Sequence, residues 1–287
     1  MELTGIVIFG MAHPKNMSGM IKGCQMMNIP YLIATSIEQI AESKFNFVWL
    51  PDKFSPFELP GKKIMYGPHF SVFPHGKMVA PWEGPDDCYY NVLSEWNKNI
   101  HEEMGLKMPM VCLPFGVDSG AFVPGNGDRN DVFVYCKGRH PSIKEFVLQK
   151  LGNRKIHIVQ CGSYKEDWYK LVLSQCKFGV WIGSHESQGF ALQEAMSCDV
   201  PLLVVNVTSM KDEWHGEYIY KDVGNSLLAT SVPYWSNDCG EVVSLEDFDE
   251  GLKKIESGKY QPRNFVLENL SLDKCMTRML IHFGFKI

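Results

Sequence analysis

SHESQGFALQEAM, residues 184–196, is the stretch of this 287-residue chain that decides its fold. An apolar run typical of a buried strand, residues 178–182, precedes it, and a second such run follows at residues 201–205. Between the two runs, residues 189–197 have the pattern of a helix. Strand, helix and strand in alternation predict a parallel sheet and therefore an α/β protein.

The same stretch places two carboxylates eight residues apart around a glycine turn. Glu186 lies on the predicted loop, and Glu194 lies about a turn and a half into the predicted helix. The first amides of a helix lack internal partners, and together with the helix dipole they favour a phosphate. The residues at this point are Gln188, Gly189, Phe190, Ala191 and Leu192. Carboxylates on both sides could accept sugar hydroxyls, so the pattern indicates a nucleotide-sugar site. A surface loop that enters an ordinary helix, with both acids in solvent, would have the same spacing.

This segment resembles the E-x7-E signature of glycosyltransferases with the GT-B fold. In those enzymes the first acid contacts the transferred sugar and the second contacts the ribose of the nucleotide. The resemblance therefore implies these roles for Glu186 and Glu194. The usual spelling is nearer E-G-F-G-L, and this chain departs from it at Ser187, Gln188 and Ala191. The departures concern the geometry of the backbone between the two acids.

Two basic residues further upstream extend the resemblance. A predicted strand at residues 131–136 leads into an amphipathic helix, and at this junction Arg139 and Lys144 are five residues apart. The family has the same spacing in its G-R-x4-K element, where both cations meet the diphosphate. Stabilising a departing nucleoside diphosphate needs such charge. Considered alone, the two residues would equally well be a solvated pair at a helix end.

A third element completes the order found in the family. Residues 114–118, PFGVD, resemble the P-x-G-V-D segment that opens the second domain of these enzymes. The resemblance then implies the GT-B fold, in which two Rossmann-like domains have parallel sheets that face a central cleft. We expect an acceptor-side domain at residues 1–118, a nucleotide-sugar-binding domain at residues 119–262, and a C-terminal helix at residues 263–287 that packs back toward the first domain. Residues 115–130 are rich in Gly, Pro, Asp and Asn, which supports a boundary there.

Strands and helices alternate along the rest of the chain as well. Candidate strands are residues 5–9, 31–34, 45–50, 63–66, 89–93 and 110–113 in the first half, and residues 131–136, 155–160, 178–182 and 201–205 in the second. Further helices are expected at residues 18–27, 94–104 and 245–257, with one long helix at residues 264–283.

Composition and charge exclude several classes of protein. The content of 45% hydrophobic and 21% charged residues is ordinary for a globular protein, and a net charge of -5 argues against a nucleic-acid binder. The nine cysteines are scattered and include no C-x-x-C pair, so we expect neither a disulfide framework nor a zinc site. We also expect no signal peptide, no membrane span and a cytoplasmic location.

Ligands of open parallel sheets bind at the carboxyl ends of strands, so the loops there hold the remaining candidates. On the acceptor side, His13 is the first candidate for the general base that an inverting enzyme needs, and His69 is the second. Either could instead be a hydrogen-bonded loop histidine. Ser163 and Tyr164 lie where the resembled fold meets the nucleotide base, although an aromatic residue in this place would also suit packing.

The residues and the resemblance together predict a hexosyl- or pentosyltransferase of glycan biosynthesis. Its donor would be a nucleotide diphosphate sugar, with a UDP-sugar favoured and a GDP-sugar next, and its acceptor a hydroxyl of a glycan or small molecule. We expect no metal and no other cofactor, since the resembled fold uses basic side chains and helix dipoles for the diphosphate. Retention of configuration is favoured and inversion stays open. The alternatives are a nucleotide-sugar epimerase on the same fold and a catalytically silent module that binds nucleotide sugars or glycans.

Overall fold

The computed structural model describes residues 2–57, 59–74, 76–79, 81–84, 87–214 and 228–286. The chain separates into two compact units, Met1–Gly116 with Leu270–Ile287 and Val117–Asn269. Each unit is built around a parallel sheet. The α/β class and the parallel sheets predicted from the sequence are therefore confirmed.

The first unit contains a six-stranded sheet within the described residues. Its strands are β1 Ile6–Ile8, β2 Tyr31–Ile33, β3 Phe47–Leu50, β4 Lys63–Tyr66, β5 Cys88–Val92 and β6 Met110–Cys112. They are ordered β2-β1-β3-β4-β5-β6, and all neighbours are parallel. Every residue of β3 is buried, as is typical of a strand covered on both faces.

The described helices of this unit are α1 Pro14–Met26, α2 Ile37–Glu42, α3 Glu95–Glu103 and, from the C-terminal segment, α9 Leu272–His282. α1 begins at a His-Pro pair. Nδ1 of His13 accepts the N–H of Lys15 at 3.3 Å and so caps the helix, while Pro14 has the φ of a first helical position. α1 packs closely on α9, because a Cβ on Gly23 would lie only 2.7 Å from Cε of Met276.

The second unit contains a five-stranded sheet within the described residues. Its strands are β7 Asp131–Cys136, β8 Ile156–Gln160, β9 Cys176–Ile182, β10 Leu202–Val205 and β11 Gly240–Val243. They are ordered β11-β10-β9-β7-β8, again all parallel. All of β7, and all of β9 apart from Lys177, is buried. Tyr135 of β7 stacks on Trp181 of β9 with ring centroids 3.8 Å apart, which adds a specific aromatic contact between these strands.

The described helices of the second unit are α4 Pro141–Leu151, α5 Glu166–Gln175, α6 Phe190–Ser197, α7 Phe248–Ser257 and α8 Pro262–Asn269. α4 begins as α1 does, with Nδ1 of His140 accepting the N–H of Ser142 at 3.3 Å. At the other end of the unit, Arg263 of α8 donates to the carbonyls of Ser119 and Phe122 at 3.1 and 2.9 Å. These bonds tie α8 to the segment that opens the unit.

The C-terminal region differs from the single helix predicted at residues 264–283. α8 and α9 are separate helices, and they belong to different units. Ser271 lies between them with an extended backbone, and its hydroxyl donates to Oδ1 of Asp273 at 2.6 Å. A serine before the first turn, with an acid within that turn, begins a new helix. The apolar periodicity continues through this point, which is why the pattern alone predicts one helix.

Three further findings concern the described part of the chain. No described helix is both long and apolar enough to cross a lipid bilayer. All nine cysteines are among the described residues, and none forms a disulfide. No group of three or more histidine, cysteine, aspartate or glutamate side chains within the described ranges is arranged to hold a metal ion.

Candidate functional site

The second unit brings the predicted donor residues to the carboxyl end of its sheet. The loop after β7 carries Lys137 and Arg139, and the loop after β9 carries Glu186 and leads into α6. β8 and β9 lie on opposite sides of β7, so the strand order reverses between β7 and β9. α/β sheets bind ligands at such a switch point. The candidate site is built from these two loops, with the loops after β8 and β10 beside them.

Glu186 pairs with Lys137 across the switch point. Nζ of Lys137 lies 2.9 Å from Oε1 of Glu186 and donates to the carbonyl of His185 at 3.2 Å. The Glu186 side chain is 12% exposed and that of Lys137 28%, so water screens the pair only in part. Burial lowers the pKa of the Lys137 ammonium, but the charge and hydrogen bond of Glu186, together with negative groups that include Glu213, raise this pKa above its ordinary value. Lys137 was not among the residues predicted from the sequence.

α6 presents its N-terminus directly after this loop. Gly189 has a left-handed backbone with φ +84°, which glycine adopts without the strain that a side chain would bring. No side chain among the described residues caps the helix. The first amides, those of Phe190, Ala191 and Leu192, have no partner inside the helix and suit an anion.

Glu194 lies in the second turn of α6 and is only 3% exposed. Burial raises the pKa of the Tyr164 phenol, and the charges of Glu194 and Glu186 raise it further. Tyr169 of α5 is fully buried, its pKa is also raised by burial and by Glu194, and its hydroxyl donates to the carbonyl of Ala191 at 2.8 Å. The charges of Glu186 and Glu194 therefore both act on Tyr164, so the three side chains lie near one another.

Gln188 stabilises the turn between Glu186 and α6 through hydrogen bonds to Gln193. It is 1% exposed, its Nε2 donates to Oε1 of Gln193 at 3.1 Å, and its carbonyl accepts Nε2 of Gln193 at 2.8 Å. This reciprocal pair fixes the backbone just before the helix. The side chain of Gln188 is thus engaged with the protein itself.

Arg139 joins the loops after β9 and β10. Its Nη1 donates to the carbonyls of Gly183, Val205 and Asn206 at 3.2, 3.2 and 3.4 Å. Its Nε is buried and has no hydrogen-bond partner among the described residues. Burial lowers the pKa of the guanidinium, and neighbouring carboxylates oppose this effect. Part of the guanidinium therefore holds the scaffold of the site.

Lys144, the second predicted cation, lies in α4 and is half-buried. Burial raises the pKa of the Cys136 thiol, and the charge of Lys144 lowers it. Cys136 is the last residue of β7, so this electrostatic contact places Lys144 near the carboxyl end of that strand. Arg139 lies in the loop that follows the same strand end.

His185 and Glu213 form a second pair beside Glu186, and neither was singled out from the sequence. Oε1 of Glu213 accepts the backbone N–H of His185 at 2.7 Å and also contacts Nδ1 of its ring. The Glu213 side chain is fully buried, and a buried carboxylate needs such donors. On the next residue, the N–H of Glu186 donates to the carbonyl of Thr230 at 3.0 Å. The position of both residues in loops after strands is the signal that could have identified them.

A cavity of about 370 Å³ lies beside β8. Its walls are formed by Ile158, Gln160, Ser163, Tyr164, Lys165 and Trp168. The volume is within the range of small-molecule sites. Trp168 is 40% exposed and offers a flat apolar face, and the two residues predicted to lie near the nucleotide base, Ser163 and Tyr164, are both part of the wall.

The acceptor-side histidines belong to the first unit, and their rings make local contacts. His13 is exposed, and its Nδ1 accepts the helix-capping N–H of Lys15, which places the proton of the neutral ring on Nε2. Nε2 of His69 lies 2.7 Å from the carbonyl oxygen of Phe73, and its Nδ1 contacts the hydroxyl of Tyr90. Both nitrogens of His69 are therefore engaged with neighbouring residues.

Comparison with known proteins gives matches at the level of structure. No protein-family model matches the sequence, and a search of curated proteins finds no match. The lipopolysaccharide outer core galactosyltransferase WaaB is similar with a TM-score of 0.57 and 13% identity over 97% of this chain and 99% of that one. Sucrose-phosphate synthase from Thermosynechococcus elongatus is similar with a TM-score of 0.55 and 10% identity over 98% of each chain.

TarM is similar with a TM-score of 0.51 and 14% identity over 83% of this chain and 54% of that one, so this chain spans about half the length of TarM. At these identities the likeness concerns the fold. The two units with parallel sheets, and this likeness along nearly the whole chain, show that the protein has the fold of the GT-B glycosyltransferases.

Proposed function

We propose that this protein transfers a sugar from a nucleotide diphosphate sugar to a hydroxyl of a glycan or small acceptor, with a UDP-sugar as the first candidate and a GDP-sugar as the second. One observation carries the proposal: Glu186 and Glu194 flank the N-terminus of α6 at the switch point of the second sheet. Structures with the same fold include a galactosyltransferase and a sucrose-phosphate synthase, which supports glycosyl transfer.

In this proposal the diphosphate lies at the start of α6. The amides of the first turn and the side chains of Arg139 and Lys144 would bind its oxygens, because charge-assisted hydrogen bonds are the strong ones. Arg139 would do so through Nη2, since Nη1 is engaged with three carbonyls. Glu194 would accept the ribose hydroxyls, and Glu186 would accept hydroxyls of the transferred sugar. The chain's own cations and helix dipole would supply this charge without a metal.

The nucleotide base would lie toward the cavity beside β8. Tyr164 links this cavity to the acids, because it is part of the wall and senses the charges of both Glu186 and Glu194. The exposed face of Trp168 suits a planar ring, and the hydroxyl of Ser163 can donate or accept a hydrogen bond. The proposal therefore places sugar, diphosphate and base in sequence across the carboxyl end of one sheet.

The reaction breaks the bond between the anomeric carbon and the phosphate oxygen, and the electron pair leaves with the phosphate. The acceptor oxygen forms the new bond, and its proton passes to the departing phosphate when configuration is retained. Retention is supported by His13, because its Nδ1 lone pair is used to cap α1. An inverting enzyme would need a base with an available lone pair.

A thermal-shift screen followed by a turnover assay tests this function. UDP, GDP and ADP are compared first, since a ligand at a hundred times its Kd adds about 2.7 kcal/mol of stability. The nucleotide sugars of the best base are then incubated without acceptor, and released nucleoside diphosphate is measured. A transferase releases it slowly, an epimerase alters the sugar without releasing it, and a silent module does neither. The absence of a shift with every nucleotide would refute the proposal.

A further inference from the structure

Lys137 contacts the acid that the proposed reaction depends on. It follows β7 directly, and its Nζ lies 2.9 Å from Oε1 of Glu186 and 3.2 Å from the carbonyl oxygen of His185. Arg139, two residues later, donates to the backbone carbonyls of Gly183 and of the β10 end. Both cations therefore contact the loop after β9. Arg139 binds the carbonyl of Gly183, and Lys137 binds the carbonyl of His185 and the side chain of Glu186.

The attraction between Lys137 and Glu186 is strong enough to show in the pKa of the lysine. Burial lowers the pKa of the Lys137 ammonium, but the charge and hydrogen bond of Glu186 and other negative groups nearby raise it above its ordinary value, so Lys137 is a cation beside the carboxylate. Glu213 contributes to the field at Lys137 as well, so a second negative charge lies nearby. A diphosphate bound at α6 would bring further negative charge. Lys137 therefore sets a positive charge directly beside Glu186 and holds its carboxylate by a charge-assisted hydrogen bond.

We propose that Lys137 is the positioning residue of Glu186, and that it holds this carboxylate in the orientation in which it can accept hydroxyls of the transferred sugar. The role toward the sugar rests on the proposed glycosyl transfer, whereas the placement of the carboxylate does not. A side chain that is already fixed in its bound orientation loses less conformational entropy when the ligand binds. Lys137 therefore affects how the sugar is held and leaves the binding of the nucleotide unchanged.

Two substitutions separate charge from shape. Lys137→Met removes the charge and retains an unbranched chain, whereas Lys137→Arg retains the charge. We expect Lys137→Met to lower kcat roughly tenfold or more and to leave the Kd of UDP within about twofold. Lys137→Arg should restore most of kcat. In a Glu186→Gln background, the further effect of Lys137→Met on kcat should be less than about twofold.

A crystal structure of Lys137→Met decides the question even in a protein without turnover. The carboxylate of Glu186 should leave the place that it has in the wild type, and in Lys137→Arg it should keep that place. An unchanged position of the carboxylate in Lys137→Met would overturn the proposal. So would a loss of UDP affinity in Lys137→Met, which would make Lys137 a phosphate ligand. Failure of the wild type to turn over any nucleotide sugar would refute the proposed function alone, and Lys137→Gln replaces the Met variant if that variant does not fold.

Discussion

Replacing Glu194 with glutamine tests the proposed donor site directly, because the substitution removes one charge and keeps the size of the side chain. Glu194 is 3% exposed in the second turn of α6, so ribose hydroxyls bound there would form charge-assisted hydrogen bonds out of bulk water. Such bonds contribute about 1.5–3 kcal/mol. Since about 1.4 kcal/mol corresponds to a factor of ten, we expect the affinity for UDP to fall about 10- to 150-fold.

Calorimetric titration with UDP measures this loss, and circular dichroism confirms that the variant is folded. Glu186→Gln is the matched control, because it makes the same chemical change at the other acid. It should keep the Kd of UDP within about twofold and lose turnover of the intact donor, since Glu186 is assigned to the transferred sugar. Unchanged UDP affinity in a folded Glu194→Gln variant would refute the ribose assignment. A loss in Glu186→Gln that equals the loss in Glu194→Gln would show that the two roles are not separated as proposed.

Three further predictions concern the cations and the histidines. Lys144→Ala should lower kcat about a hundredfold and change the free energy of unfolding in urea only slightly. Arg139→Ala should lower both kcat and the free energy of unfolding, because the carbonyls that Arg139 binds lose their partner. Equal stability of the two variants would contradict the scaffold role of Arg139. His13→Ala should lower the free energy of unfolding by about 1 kcal/mol and His13→Asn should restore it, because asparagine also caps a helix. Both variants should retain kcat, because a retaining reaction does not need His13 as a base. NMR of the product tests this stereochemistry, and a β-linked product from an α-linked donor would show inversion. Burial lowers the pKa of His101 from 6.5 to about 4, so its contribution to stability is complete above pH 6.5 and is lost as the pH falls toward 4. The loss should reach about 3 kcal/mol in urea unfolding, and His101→Leu should remove most of it; an unchanged pH dependence in that variant would exclude His101 as the cause.

The parts of the fold that were predicted from the sequence are those with strong local patterns. β4 and β7 have the bounds expected from their apolar runs, because strands buried on both faces are continuous in sequence. α2 and β11 were not predicted. α2 has six residues and buries only Ile40, and the four residues of β11 include exposed Val242. Elements as short and as exposed as these leave too weak a periodicity to identify them.

The candidate site likewise has residues that the sequence predicted and residues that it did not. The predicted loop and helix that carry Glu186 and Glu194 lie within one short segment, so spacing alone was enough to relate the acids to the start of α6. Lys137 lies 48 residues before His185 in the chain, and the two meet because β7 and β9 are neighbours in the sheet. Strand order is a property of the whole sheet, and no local pattern encodes it. The contact of Glu213 with His185 depends on the same ordering, since β10 lies beside β9.

The charges around the switch point explain which groups would meet a dianionic diphosphate. Lys137 is paired with Glu186, and the buried Glu213 contributes to the field at both Lys137 and Arg139. Asp212 also acts on Arg139, so both cations have carboxylates of the protein itself beside them. A diphosphate at the start of α6 would therefore meet the N-terminus of that helix, which acts as roughly half a positive charge, together with Lys144 and the remaining donors of Arg139. Charges that are held in place by ion pairs of the protein itself are preorganised, and preorganised charge stabilises a transition state without a cost of reorganisation.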